Sequence, residues 1–136
     1  MELMFCGATR TVTGSCFLLK NNSNVLIDIG MFQGSVEKRN RRNFPFDPSE
    51  IDYVIITLSH LDHIGLLPKL VISGFKGKIY SIKATKDLAK HMLYDAAKIQ
   101  EEEAYTQTKK NLRKGLPKVD PLYTVEDAEK CFKLKW

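Results

Sequence analysis

The chain has 136 residues, of which 43% are hydrophobic and 27% are charged, and its formal net charge is +5 from 21 basic and 16 acidic residues. This composition is typical of a folded globular domain and excludes a disordered chain. No apolar run approaches the roughly 20 residues that cross a bilayer, and the N-terminus lacks a signal-peptide pattern. The 3 cysteines follow no metal-binding spacing, which favours buried, reduced thiols and a cytoplasmic setting over disulfides.

The predicted strands are short runs of apolar and β-branched residues bounded by Gly, Asn or Pro. They cover residues 1–6, 14–20, 25–29, 53–57 and 78–82. The turn cluster Asn21-Asn22-Ser23-Asn24 is expected to join the second strand to the third as a hairpin. Residues 30–48 are predicted to form a loop, because Pro45 and Pro48 are incompatible with a helix interior.

Three helices are predicted, over residues 65–73, 85–114 and 125–134. Thr85 is the expected N-cap of the long helix, and Gly115 is expected to end it. The core-facing stripe of that helix is predicted to contain Leu88, Met92, Ala96, Ile99 and, at its margin, Glu103. Thr124 and Asp127 predict a capping box for the last helix. Together the elements predict an α/β fold, with a mixed sheet and flanking helices.

The most informative stretch follows the buried fourth strand, where His60, Asp62 and His63 occur within four residues. Two imidazoles and a carboxylate are donor types that zinc and similar divalent ions prefer. The sequence therefore predicts a metal site in this loop. An ordinary polar turn without a metal is the alternative interpretation.

Four segments, in order along the chain, resemble the metallo-β-lactamase superfamily and, within it, the β-CASP RNA-processing nucleases. They are Gly7–Cys16, Leu26–Gly34, the ligand loop continuing to Pro68, and Asp95–Glu103. The resemblance implies a four-layer αβ/βα sandwich with its metal site at one edge. Residues 1–136 would supply the N-terminal part and first half of that domain, with the C-terminal half and the β-CASP insert lying outside them.

In the family that the chain resembles, the ligand loop reads His-x-His-x-Asp-His, and here Leu58 occupies the first histidine position. The resemblance implies two zinc ions, with His60 at the first ion and Asp62 and His63 at the second. It also implies that Asp62 orients or deprotonates the attacking water, and that Asp28 supports the loop by hydrogen bonding. Because Leu58 cannot bind a metal and the later ligands lie elsewhere, we expect partial or no zinc occupancy and little hydrolysis by this chain.

Basic residues cluster along the chain, which suits a polyanionic partner but is also typical of solvated surfaces. The candidate phosphate contacts are Arg10, Lys38, Arg39, Arg41 and Arg42, and a second group contains Lys109, Lys110, Arg113 and Lys114. The resemblance implies RNA as the partner, and with a hydrolytic metal site nearby the phosphate-binding and solvated-surface interpretations are about equally supported. The third histidine, His91, matches no ligand position and is interpreted as a surface or packing residue.

Three functions are compatible with the sequence. The first is a zinc-dependent ribonuclease whose remaining ligands come from outside the chain, and the second is a non-catalytic fragment with a binding or structural role. The third and less favoured is a thioesterase or lactamase of the same superfamily. The chain ends at Trp136, in the last turn of a predicted helix, which favours a fragment. Because half of a sandwich exposes apolar sheet surface, self-association or marginal stability is expected.

Overall fold

Five strands form one sheet in the computed structural model, which describes all 136 residues. The strands are β1 (Glu2–Phe5), β2 (Phe17–Lys20), β3 (Asn24–Ile27), β4 (Tyr53–Ile55) and β5 (Lys78–Tyr80). They lie in chain order across the sheet; β1 to β3 are antiparallel, and β3 to β5 are parallel. The predicted α/β class with a mixed sheet is confirmed, as is the hairpin between β2 and β3.

Four α-helices accompany the sheet. They are α1 (Leu61–Ile64), α2 (Leu67–Ile72), α3 (Lys83–Arg113) and α4 (Val125–Cys131). The short helices α1 and α2 lie in the crossover from β4 to β5, and α4 packs against both α2 and α3. No helix of the chain combines the length and the apolar character that crossing a membrane would require.

One face of the sheet forms the core with these helices. Leu18, Leu26, Val54 and Ile79 align across neighbouring strands and are all at most 1% exposed. They belong to one cluster of 19 buried residues that also includes Leu70 of α2. Burying an aliphatic side chain of this size contributes about 1.5–3 kcal/mol, so this face supplies much of the stability of the fold.

The opposite face of the sheet carries apolar rows with no layer packed against them. The first row is Phe5, Phe17, Ile27, Ile55 and Tyr80, and the second is Leu3, Leu19, Val25 and Tyr53. The exposed fraction is 62% for Phe5 and 40% for Ile55. Five strands of this length span about 20 Å by 13 Å, which is the approximate extent of this open apolar face.

Helix α3 begins earlier and faces the core differently from the prediction. It starts at Lys83 with Ile82 as its N-cap, so the prediction of Thr85 as the cap was wrong. The buried positions are Thr85, Ala89, Leu93, Ala96, Ala97 and Ala104, whereas Leu88 and Ile99 are 56% and 54% exposed. The buried face of α3 is therefore rotated relative to the predicted stripe. Alanines on this face let the helix pack closely against the core, and this close packing determines the buried face more than the positions of the larger apolar side chains do.

The predicted loop over residues 30–48 contains a 3-10 helix over Gly34–Arg41, and a shorter one follows at Pro48–Glu50. The first is held by Asn40, whose buried side chain bonds the backbone N–H and the carbonyl of Phe32, both at 2.7 Å. The prediction of a simple loop was wrong here. The side-chain amide of Asn40 satisfies buried backbone groups that regular secondary structure would otherwise pair, and the apolar pattern of the sequence gives no sign of this contact.

The capping box of the last helix is confirmed, since Thr124 and Asp127 bond each other's backbone N–H groups. The helix ends at Cys131, three residues before the predicted end at Leu134. The Trp136 indole N–H donates to the carbonyl of Cys131 at 2.9 Å, and its ring stacks on Phe132. A side chain that bonds one of the last helical carbonyls stabilises this earlier end.

The corrected face of α3 gives a direct test. Leu93→Ala should lower the free energy of unfolding by about 2–5 kcal/mol, because it leaves a cavity at a fully buried position. Leu88→Ala removes the same atoms from an exposed position of the same helix, and should change stability by less than about 0.5 kcal/mol. Urea unfolding followed by circular dichroism measures both; equal losses would contradict the assigned face.

Candidate metal centre

The centre of the candidate site is the carboxylate of Asp28, which lies directly after β3. Its φ is 60°, in the left-handed region that aspartate tolerates better than most residues, and the side chain is 3% exposed. The Asp28 N–H donates to the carbonyl of Ile55 at 2.8 Å. This turn directs the carboxylate across the ends of β3 and β4, where parallel strands bring their carboxyl ends together.

Three residues from separate segments bond the Asp28 carboxylate. The N–H of Thr57 donates to Oδ1 at 2.8 Å, and the Thr57 hydroxyl reaches Oδ2 at 2.8 Å. The Ser15 hydroxyl donates to Oδ2 at 3.1 Å, and Nδ1 of His63 lies 2.7 Å from Oδ2. A buried charge with this many donors avoids the large cost of an unpaired carboxylate.

The bond to Asp28 sets the tautomer of His63. Because a carboxylate accepts hydrogen bonds, Nδ1 of His63 carries the hydrogen, and Nε2 keeps a free lone pair. Nε2 lies 3.6 Å from Oδ2 of Asp62. Two donor atoms that each bind a zinc ion at about 2.0–2.2 Å in tetrahedral geometry are separated by about this distance. Asp62 and His63 therefore fit as two ligands of one metal ion.

His60 does not complete a larger ligand group within this chain. It is the N-cap of α1, its side chain is exposed, and its carbonyl accepts from the N–H groups of His63 and Ile64. No group of three or more His, Cys, Asp or Glu side chains converges on a common point. Leu58 offers no donor atom, so the local geometry brings Asp62 and His63 together and leaves His60 apart.

Backbone hydrogen bonds hold the ligand loop against the first half of the sheet. The Ser15 N–H donates to the carbonyl of Asp62 at 2.8 Å, and the Ile29 N–H donates to that of His63 at 2.9 Å. Gly30 passes so close that a Cβ there would lie 1.7 Å from the Asp62 carbonyl oxygen. Only glycine permits this approach, and the position of Asp62 therefore depends on the residues 28–31.

The structure divides the predicted phosphate contacts among three places. Lys38 and Arg41 line a groove of about 1060 Å³ beside α3, together with Glu37, Glu102 and Glu103. Arg39 and Arg42 line a smaller cavity of about 260 Å³ on the other side of the same 3-10 helix. Arg10 is exposed in the turn between β1 and β2, with φ at 58°. These cations do not converge on one anion site.

Lys69 is a further basic residue near this cluster, and the sequence reasoning missed it. Its ammonium donates to the carbonyls of Asn40 and Arg42 and lies 4.8 Å from the centre of the Phe44 ring. Burial, together with the charge of Arg41, lowers the pKa of Lys69. Lys69 therefore positions the end of the basic 3-10 helix.

Ser15 and Thr57 were also missed, and only Thr57 had a signal that could have identified it. Thr57 is the polar residue directly after a buried strand, and it faces Asp28 because β3 and β4 are parallel neighbours in register. That pairing was recoverable from the position of both residues at strand ends. Ser15 had no comparable signal, since only the fold of the Gly7–Gly14 turn brings it to Asp28.

Comparisons with known proteins identify the family of the chain. The profile described as metallo-beta-lactamase superfamily matches residues 9–134. The chain is 48% identical to ribonuclease TTHA0252 of Thermus thermophilus over 103 residues, covering 75% of this chain and 24% of that protein. It is 30% identical to the transcription termination factor FttA of Methanococcus maripaludis over 136 residues, covering 95% of this chain and 19% of that factor.

A plant relative also matches. The chain is 29% identical to the cleavage and polyadenylation specificity factor subunit 3-II of Arabidopsis thaliana over 143 residues, covering 95% of this chain and 23% of that subunit. The chain thus spans about a quarter or less of the length of these relatives. The resemblance drawn from the four sequence segments, including the β-CASP nuclease branch, is confirmed.

The role of the Asp28 carboxylate can be measured by stability. Asp28→Asn should lower the free energy of unfolding by about 1–3 kcal/mol, because an amide cannot accept all the hydrogen bonds that end on this carboxylate. Asp52→Asn is the matched control, since the exposed Asp52 carboxylate accepts one backbone N–H, from Asn24. Chemical denaturation of both variants should give a much smaller loss for Asp52→Asn.

Proposed function

The chain belongs to the metallo-β-lactamase superfamily, and on that premise we propose that it forms part of a zinc-dependent hydrolase of RNA phosphodiester bonds. Residues 1–136 would contribute the N-terminal part of the catalytic domain, and the remaining metal ligands would come from outside them. By itself the chain would be inactive or nearly so.

The observation that supports this proposal most directly is the arrangement of Asp28, His63 and Asp62. Asp28 holds Nδ1 of His63 at 2.7 Å, which leaves Nε2 free at 3.6 Å from Oδ2 of Asp62. A carboxylate that orients a histidine is the usual support of a zinc ligand. An ordinary polar turn needs no buried carboxylate behind the histidine.

The chemistry of the proposal assigns a role to each residue. Bound zinc ions make water nucleophilic at neutral pH and neutralise charge on the phosphate. His63 and Asp62 would hold the second ion, His60 would reach the first, and Asp62 would orient the attacking water and accept its proton. Asp28 would keep His63 in the binding tautomer.

Basic residues support RNA as the substrate. Lys38, Arg39, Arg41 and Arg42 would contact backbone phosphates on either side of the 3-10 helix, and Arg10 would contact one from the turn between β1 and β2, giving salt-dependent binding. Relatives named as a ribonuclease and as a polyadenylation specificity factor subunit favour RNA over a lactam or thioester substrate. A reduced, cytoplasmic setting would suit the 3 free cysteines.

A second candidate function is non-catalytic binding. Leu58 removes a donor atom at the first metal position, and no three-ligand group forms in the chain. A domain that kept the Asp28 scaffold but lost the first ion would bind RNA or a protein without cleaving it. Cleavage by Leu58→His would favour the first candidate, because the change returns a ligand without altering the rest of the loop, whereas inactivity of both forms would point to the ligands outside the chain.

Metal binding tests the ligand assignment. In calorimetric titration with zinc, His63→Ala and Asp62→Ala should abolish the binding that the unmodified chain shows, and Asp28→Asn should weaken it by about 10–100-fold. His91→Ala, which removes an exposed imidazole on α3, should leave it unchanged. Binding that survives His63→Ala would contradict the assigned site.

RNA cleavage tests the activity. With zinc present, the unmodified chain should release no product above background from a labelled structured RNA, because one complete metal position needs three or four ligands. Cleavage that appears in Leu58→His would identify a disabled enzyme. Multiple turnover by the unmodified chain would contradict the proposed incompleteness.

The open apolar face of the sheet supports a proposal of self-association. Its span of about 20 Å by 13 Å is smaller than a standard interface, so association should be weak and concentration-dependent. Sedimentation velocity should show it for the unmodified chain and not for Ile55→Lys. Leu112→Lys, at a position 66% exposed on α3, is the control and should still associate. A monodisperse monomer at all concentrations would contradict the proposal.

A further inference from the structure

Cys6 and Cys16 face each other where β1 and β2 end. Their neighbours Phe5 and Phe17 are paired, and the N–H groups of Cys6 and Gly7 both donate to the Cys16 carbonyl, at 2.9 and 3.0 Å. Two residues opposite one is a β-bulge, which bends the strand locally. Opposite residues in antiparallel strands have Cα atoms about 4.5–5.5 Å apart, within the range that a disulfide spans.

The two cysteines line one cavity and differ in accessibility, since Cys6 is half-buried whereas Cys16 is buried. The neighbouring Cys16 thiol, the Leu18 amide and Lys20 lower the pKa of Cys6 against the opposing effect of burial. The Cys6 thiol and burial raise the pKa of Cys16. Cys6 is thus the accessible nucleophile and Cys16 the sheltered partner.

The cavity beside the pair carries positive charge. Cys6 and Cys16 both line the cavity of about 260 Å³, together with Arg39, Arg42 and Lys69. Three cations lining the cavity favour the approach of an anionic reagent to the two thiols. The metal centre uses none of these five side chains, so this cavity is a separate feature of the fold.

We propose that Cys6 and Cys16 are a reversible redox pair that reacts with small anionic disulfides, of which oxidised glutathione is the probe. The Cys6 thiolate attacks one sulfur, forming a mixed disulfide and releasing one thiolate. The Cys16 thiol then attacks Cys6, forming the Cys6–Cys16 disulfide and releasing the second thiol. Two protein thiols are oxidised, one disulfide is reduced, and the two protein protons leave with the two small thiols.

This proposal is independent of the proposed hydrolase function, and its consequence reaches the candidate site through Ser15. Ser15 is adjacent to Cys16, donates its N–H to Asp62 and donates its hydroxyl to Asp28. A disulfide at Cys16 would restrict the backbone at the adjacent Ser15, which donates both of these hydrogen bonds. Amide hydrogen exchange at Ser15 and Gly30 should therefore slow in the oxidised chain.

The test treats the unmodified chain with oxidised glutathione, alkylates the remaining thiols and maps the tryptic peptides. Because Arg10 and Lys20 are cleavage sites, a Cys6–Cys16 disulfide joins the peptides 1–10 and 11–20. We expect these linked peptides, their loss on reduction, and alkylated Cys131. Burial raises the pKa of Cys131 to about 12, so this residue is an internal control for an inert thiol.

Two variants separate the steps. Cys16→Ser should accumulate the mixed disulfide at Cys6, because the resolving thiol is missing, whereas Cys6→Ser should leave Cys16 unmodified. In the unmodified chain Cys6 should react at least about tenfold faster than Cys131, the factor for one pKa unit of thiolate population. Absence of the linked peptides, or equal rates for Cys6 and Cys131, would overturn the proposal even if either variant failed to fold.

Discussion

The buried carboxylate of Asp28 is the interaction on which the candidate site depends. At 3% exposure it would be costly without donors, yet it receives the Thr57 amide and hydroxyl, the Ser15 hydroxyl and the ring of His63. These donors come from three separate parts of the chain. The Asp28 carboxylate brings these donors together because it is buried, and its bond to Nδ1 also fixes the direction of the His63 ring. One buried carboxylate therefore stabilises this part of the fold and orients the candidate ligand.

The sequence predicted those features that local patterns determine. Strand positions and the capping box at Thr124 follow from apolar runs and turn residues. The face of α3 was missed because a helix rich in alanine is oriented by how closely it can pack, which periodicity of large residues does not measure. Ser15 and Lys69 were missed because their contacts depend on how the turn 7–14 and the 3-10 helix fold.

Two surfaces of the molecule present groups that need a counterpart. The sheet has apolar rows on its second face, and the candidate metal centre offers Asp62 and His63 without a third converging ligand. Both lie within a chain that spans a quarter or less of its relatives. Apolar area is stabilised when it leaves water, and a zinc ion takes three or four protein ligands, so each feature is able to accept further groups.

The central claim is that Asp28 presents Nε2 of His63, beside Asp62, to a divalent ion. The most direct measurement is the nitrogen NMR of the His63 imidazole during a zinc titration. We expect a hydrogen on Nδ1 throughout, with the largest zinc-dependent shift at Nε2. A hydrogen on Nε2 before zinc is added, or a larger zinc-dependent shift at Nδ1 than at Nε2, would contradict this assignment.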